Sequence, residues 1–227
     1  MTSPGSLESL GDLATTIERM RAARPRASGP LIVGLAGAPG AGKSTIAAAL
    51  SASLPGSAVL PMDGFHLPQA ELVRLGRRDR MGAPDTFDVD AFVTVLTSLR
   101  DLHNSGETLH APGFDRRVEE PVAGQLALSP ELRCILVEGN YLLLRDNGWH
   151  RVASLLDLSV GIVLDEATRH ERLIARHVAF GKTPDAARAW ALGPDERNAA
   201  SIAATLERAD YLLDTSANDS SAGSSTR

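Results

Sequence analysis

The chain has 227 residues, a formal net charge of −5 and 43% hydrophobic residues. That length suits one domain with a large core, and the mildly acidic balance argues against general nucleic-acid or anionic-membrane binding. A single cysteine, Cys134, excludes an internal disulfide and fits a cytoplasmic location.

No apolar stretch approaches the roughly 18 residues of a membrane span. The N-terminus lacks the basic start and apolar block of a signal peptide, so none is expected. Leu7, Leu10, Leu13, Ile17 and Met20 recur at helical spacing, so residues 1–30 read as an amphipathic helix and a linker carrying proline and glycine. The helix can pack on the domain or serve a homodimer, and the sequence does not choose.

Residues 31–215 read as one catalytic domain. The apolar run 31–36 is a buried strand, and 44–54 a helix stopped by Pro55-Gly56. Residues 58–60 are a second strand ending at Asp63. Val89, Phe92, Val93, Leu96 and Leu99 mark a helix with Asp88 as N-cap. Residues 106–129, with scattered prolines and glycines, read as an insertion of loops and weak strands. Cys134 lies in a third strand, 134–137, and reads as a buried core residue rather than a nucleophile. A fourth strand spans 159–164. Helices follow over 167–180, 184–190 and 194–206, then a fifth strand at 210–214. The serine-rich residues 216–227 read as a disordered tail. Apolar strands alternating with helices imply a parallel sheet covered on both faces, with its site beyond the carboxyl ends of the strands.

Gly37-Ala38-Pro39-Gly40-Ala41-Gly42-Lys43-Ser44 matches G-x-x-x-x-G-K-[ST], after a strand and before a helix. Glycines let the backbone curl around phosphate oxygens, and the helix N-terminus faces the anion. Lys43 can reach the β- and γ-phosphates of ATP, Ser44 can ligate Mg2+, and Thr45 can add a hydrogen bond. Asp63, at a strand end, is the candidate base that orients an acceptor alcohol and takes its proton. Glu138, ending the strand Ile135-Leu136-Val137-Glu138-Gly139, is the candidate magnesium carboxylate. Arg169, Arg172 and Arg176 share one helix face, with Arg172 and Arg176 the stronger candidates to neutralise charge during transfer.

These motifs, with Met62-Asp63-Gly64-Phe65-His66 and Glu171-Arg172-Leu173-Ile174-Ala175-Arg176, resemble the phosphoribulokinase/uridine kinase family of P-loop kinases over about residues 31–214. The wording is similar to a bacterial branch described as nucleoside/nucleotide kinase-like or as a candidate fructose-transport-system kinase, and also to bacterial pantothenate kinase. The resemblance implies a three-layer α/β/α P-loop fold with a five-stranded parallel core sheet and a helical lid. It implies ATP with Mg2+, and an acceptor site that includes His66, Asp85, Asp115 and Arg116. The tyrosine and histidine with which uridine kinases read the base are missing around Phe114-Asp115-Arg116-Arg117, which argues against uridine.

The function expected is ATP-dependent phosphorylation of a hydroxyl on a sugar, nucleoside or related alcohol, with pantothenate as an alternative acceptor. The competing class is a P-loop ATPase switch or transport-associated regulator without a small-molecule acceptor. A protein that binds nucleotide and has lost catalysis is disfavoured by Lys43, Asp63, Glu138 and the arginine pair.

Overall fold

A computed structural model describes residues 3–216. In chain order the protein runs β1 (Gly5–Leu7), α1 (Leu10–Ala23), β2 (Leu31–Ala36), α2 (Lys43–Ser53), β3 (Ser57–Pro61), α3 (Gln69–Arg74), α4 (Val89–Ser98), α5 (Leu102–Ser105), β4 (Leu109–Asp115), β5 (Glu120–Leu128) and β6 (Cys134–Gly139). It continues through α6 (His150–Ala153), β7 (Leu158–Val163), α7 (Glu166–Ala179), α8 (Pro184–Leu192), α9 (Pro194–Ala203) and β8 (Tyr211–Asp214). The tail expected at 216–227 lies outside the described residues, apart from Ser216. No helix among the described residues is long and apolar enough to cross a membrane.

Six strands form one sheet in the order β1-β8-β7-β2-β6-β3, and every neighbouring pair is parallel. The five strands read from the sequence are all present, and β1 is an addition at the edge. Ser9 explains why β1 escaped notice. Its hydroxyl caps α1 by accepting from Asp12 N at 3.1 Å, so the helix starts at Leu10 and Leu7 is left to pair with Leu213.

Strand alternation sorts the core into two faces. Ile32, Ile135 and Val137 point into one cluster with Phe92, Leu96 and Trp149. Leu31, Val33, Leu35, Cys134 and Leu136 point into the other, with Leu13 and Ile17 of α1 and Leu50 of α2. This is the three-layer arrangement that apolar parallel strands require. Cys134 is fully buried, and burial pushes its thiol up to about 12, so it behaves as a small hydrophobe.

Two additions close over the carboxyl ends of the strands. β4 and β5 form an antiparallel hairpin, with a register shift between Ala111 and Gly113. The helices α7 to α9 form the other wall. His177 lies 2.7 Å from Asp195, and His170 lies 2.7 Å from Glu196, so the first turn of α9 is tied to α7.

The hairpin seats directly on the turn after β3. A Cβ at Gly64 would lie 2.3 Å from the backbone oxygen of Pro112, closer than any real contact allows. Gly64→Ala is expected to destabilise the fold by about 1–3 kcal/mol, the range for overpacking. It should also displace the hairpin. Denaturant unfolding checks the first effect, and a raised KM for the acceptor checks the second.

Candidate active site

The loop between β2 and α2 turns through two left-handed glycines, Gly40 (φ 83°) and Gly42 (φ 91°). At Gly40 a side chain would also press on Arg169 O, 2.9 Å from an added Cβ. Lys43 opens α2 and is only 8% exposed. Its ammonium donates to Ala38 O at 3.0 Å and to Asn140 Oδ1 at 2.8 Å. Burial lowers this lysine to about 8, against the attraction of Glu138 and Asp63, with Arg176 and Arg116 adding repulsion.

Glu138 ends β6 beside β2 and is buried. Ser44 Oγ donates to its Oε1 at 3.1 Å. Burial pushes this carboxyl above its usual range, and the charge of Asp63 pushes the same way; Lys43, Ser44 and Arg116 oppose them. The donors here, a hydroxyl and a carboxylate, are hard oxygens of the kind magnesium prefers.

Asp63 lies in the turn that follows β3, next to β6 in the sheet. Burial raises its carboxyl, but the charges of His66, Arg116 and Lys43 outweigh burial and hold it below the ordinary range. Arg116, from the hairpin turn, donates to Asp63 Oδ2 at 2.5 Å. His66 Nδ1 lies 2.9 Å from the Asp63 backbone oxygen. The His66 ring sits between Phe87 and Phe114, with centroids 4.0 and 4.9 Å away.

Lys43, Ser44, Asp63, His66, Arg116 and Glu138 all face one cavity of about 840 Å³, counting its open mouth. Arg176 and Lys182 close it from the lid side. An adjoining cleft runs along the N-terminus of α2, lined by Gly42, Thr45, Arg172 and Arg176. The cleft and the loop offer a helix N-terminus and cations of the kind that hold phosphate, and the cavity has the size and polar lining of a small-molecule site.

No protein-family model matches the chain. A candidate uridine kinase of Schizosaccharomyces pombe is 33% identical over 161 residues, 66% of this chain and 68% of that protein. An ATP-dependent kinase-like protein of Aspergillus versicolor is 38% identical over 133 residues, 56% of this chain and 77% of that one. The crystal structure of a candidate fructose transport system kinase from a Silicibacter species superposes with a TM-score of 0.78 at 38% identity, covering 91% of this chain and 99% of that one. The chain belongs to the phosphoribulokinase/uridine kinase family of P-loop kinases.

The protein is therefore an ATP-dependent small-molecule kinase. Most residues singled out from the sequence of this kinase meet at the cavity or its cleft, but Asp85 and Asp115 do not. Asp85 is held by Arg80 at 2.7 Å and Arg77 at 3.3 Å, away from the cavity. Asp115 folds back on Arg117, with contacts of 2.8 Å to its guanidinium and 2.9 Å to its backbone N. Phe114, near the end of β4, and Arg116, in the turn that follows, reach the cavity, and Asp115 between them does not. Arg169 also turns aside, buried against Glu196 at 2.5 Å.

Sequence reasoning passed over Asn140, the side-chain partner of Lys43. Its position, the first residue past the β6 terminus, was the available signal. It also passed over Lys182, whose ammonium lies 4.9 Å from the Trp190 ring centre, and the pair Arg78–Glu119 at 2.8 Å. All of these line the cavity.

Anionic phosphates favour the ammonium form of Lys43, so nucleotide binding takes up a proton above the lysine's lowered value. Affinity for ATP is expected to fall as pH rises through about 8, by about tenfold between pH 7 and pH 9. Calorimetric titrations across that range check this, and Lys43→Met should bind more weakly with the slope abolished.

Proposed function

We propose that the kinase passes the γ-phosphoryl group of ATP to a hydroxyl of a sugar, nucleoside or related alcohol held over Asp63. The observation carrying this reading is the electrostatic union of Lys43, Glu138 and Asp63. Both carboxylates act on the Lys43 ammonium and it acts on both of them; all three line one cavity, and each comes from a different strand end.

The role of each residue follows from its chemistry. The backbone amides of residues 37–45 and the Lys43 ammonium hold the phosphates. Ser44 and Glu138 would hold Mg2+, which supplies charge neutralisation at the phosphates. The Arg176 side chain lines both the cavity and the adjoining cleft, so it is placed to take up charge on the transferred group. Arg172 lines the nucleotide cleft. Asp63 accepts the hydrogen of the attacking hydroxyl, and Arg116 orients the carboxylate. His66 and Arg116 form the acceptor wall.

The S. pombe relative is named for uridine, but the base-reading residues are missing here, and the acceptor wall is built from His66, Phe114 and Arg116. That composition suits the sugar part of a substrate.

Incubation with ATP, magnesium and a panel of hydroxyl metabolites should release ADP only when an acceptor is present. Asp63→Asn is expected to lower kcat by roughly 10²- to 10⁴-fold, the range for loss of general-base assistance, with ATP affinity retained. Hydrolysis independent of every acceptor would sink the proposal. Arg116→Ala removes a cation that holds Asp63 low. The ionised carboxylate is the active form, so the acid limb of kcat/KM should move to higher pH, measured as a pH–rate profile.

A further inference from the structure

The Lys43 ammonium carries three hydrogens, and two are engaged by neighbours within the chain. One goes to Ala38 O at 3.0 Å and one to Asn140 Oδ1 at 2.8 Å. A P-loop lysine that reaches both the β- and the γ-phosphate needs two of the three. One resident partner must therefore give way when ATP enters.

The two partners are not held alike. Ala38 O is a backbone oxygen inside the P-loop turn, and it also accepts from Ala41 N at 3.1 Å. It cannot leave without unwinding that turn. Asn140 is half-buried, and its side chain lines the cavity. Its backbone is fixed from both sides. Gly139 pairs with Ala36, and a Cβ there would lie 2.7 Å from Met62 Cβ. Tyr141 is buried, and its hydroxyl donates to Gly82 O at 2.6 Å. The terminal amide has more freedom, because the last torsion of an asparagine is broad and roughly two-fold. Asn140 is thus the partner that yields.

The amide has a second use once it lets go. An ammonium only donates, so the amide oxygen faces Lys43, and the nitrogen with its two hydrogens is on the other branch. A turn about the last torsion exchanges the two. Lys43 lines both the cavity and the cleft along α2, and Asn140 lines the cavity. The amide therefore stands on the Asp63 side of the lysine, towards which the γ-phosphoryl group is passed. We propose that Asn140 is a positioning residue with two alternating hydrogen bonds: its oxygen accepts from Lys43 until ATP arrives, and its nitrogen then donates to a γ-phosphate oxygen. This rests on the placement of the phosphates at Lys43 under "Proposed function". The residue type suits the exchange. An aspartate here would add a third acid to Asp63 and Glu138, grip the ammonium by charge and repel the incoming anion. A neutral amide can hold the lysine and release it.

The test uses the full chain with magnesium and two probes, ADP and the non-hydrolysable ATP analogue AMPPNP. The side-chain amide signals of Asn140 are assigned by NMR through their bonded carbons. AMPPNP is expected to move them downfield, as a hydrogen bond to an anion does. ADP has no γ-phosphate and should leave them near their positions without nucleotide. Calorimetry gives a second reading. Asn140→Ala loses one hydrogen bond in each state, so its affinity for AMPPNP should stay within about threefold of wild type. Asn140→Asp keeps the acceptor and lacks the donor, so AMPPNP should weaken by about tenfold or more relative to ADP, the size of a hydrogen bond to a charged group. A merely structural asparagine would weaken both nucleotides together. Amide signals that answer ADP and AMPPNP alike, or neither, would overturn the inference and leave the kinase assignment standing. So would an Asn140→Ala variant that binds AMPPNP about tenfold more tightly, because the residue would then release the lysine and gain nothing. Failure of the wild-type protein to bind AMPPNP or ATP at all would overturn both this inference and the function on which it rests. The NMR comparison needs no variant, so poor folding of either substitution does not blunt the test.

Discussion

The site is organised by one buried ammonium that two carboxylates share. Lys43 opens α2 at the end of β2, Glu138 ends β6, and Asp63 follows β3. β6 lies between β2 and β3 in a parallel sheet, so all three chains deliver their ends to the same edge. No antiparallel neighbour could do this, because its end would point the other way. Burial makes each charge costly and makes each partner matter more. Lys43 is held by Ala38 O and Asn140, while Glu138 is held by Ser44. Arg116 and Arg176 add two further cations, so three cations face two carboxylates, one of them pushed towards its neutral form. The excess is positive, which is what an entering polyphosphate requires.

Arg116 and Arg176 also bring together the two walls. One stands on the hairpin turn and the other on α7, yet Arg116 lies close enough to disfavour the charge of Arg176. Two cations that repel across a cleft draw together when a polyanion lies between them. Occupation of the phosphate site therefore favours approach of the hairpin and the lid helices. Asp195 and Glu196 on α9 tie to His177 and His170 on α7, so these helices form one connected wall. Approach of both walls would also exclude water, the competing acceptor for the phosphoryl group.

Much of this frame was legible in the sequence, and for a local reason. A buried parallel strand is a short apolar run, and its functional residue is the polar one that ends it, so Asp63 and Glu138 could be found without any partner in view. The P-loop carries its own signature. The parts that escaped depend on distant neighbours. β1 is three residues long, too short for any period, and is defined by its pairing with the distant β8, Gly5 to Leu7 against Tyr211 to Leu213. Helical spacing puts Arg169, Arg172 and Arg176 on one face, but only packing sends Arg169 to Glu196 and leaves the other two to the cleft. The hairpin register decides that Phe114 and Arg116 face inward while Asp115 does not, and that register shifts at Ala111 and Gly113. Asp85 looked free in the sequence because Arg77 and Arg80 gave no sign of turning back to it.

The depressed proton affinity of Asp63 bears on how the chemistry runs. A strong base would seem better suited to an alcohol, yet a carboxyl raised towards neutrality would carry its own proton for part of the time and could not accept the hydroxyl hydrogen. Held low by neighbouring cations, Asp63 stays ionised across the physiological range and always presents an acceptor. Phosphoryl transfer suits this arrangement, because bond formation to the incoming oxygen lags behind departure of the leaving group, and the alcohol becomes acidic only late. On the proposed reading of Asp63 as the base, orientation is then the larger contribution, with the proton passing to it once the new bond has made it acidic. The Arg116 contact fits the same proposal: a guanidinium on Oδ2 leaves Oδ1 open and fixes the plane in which it would be offered to an acceptor.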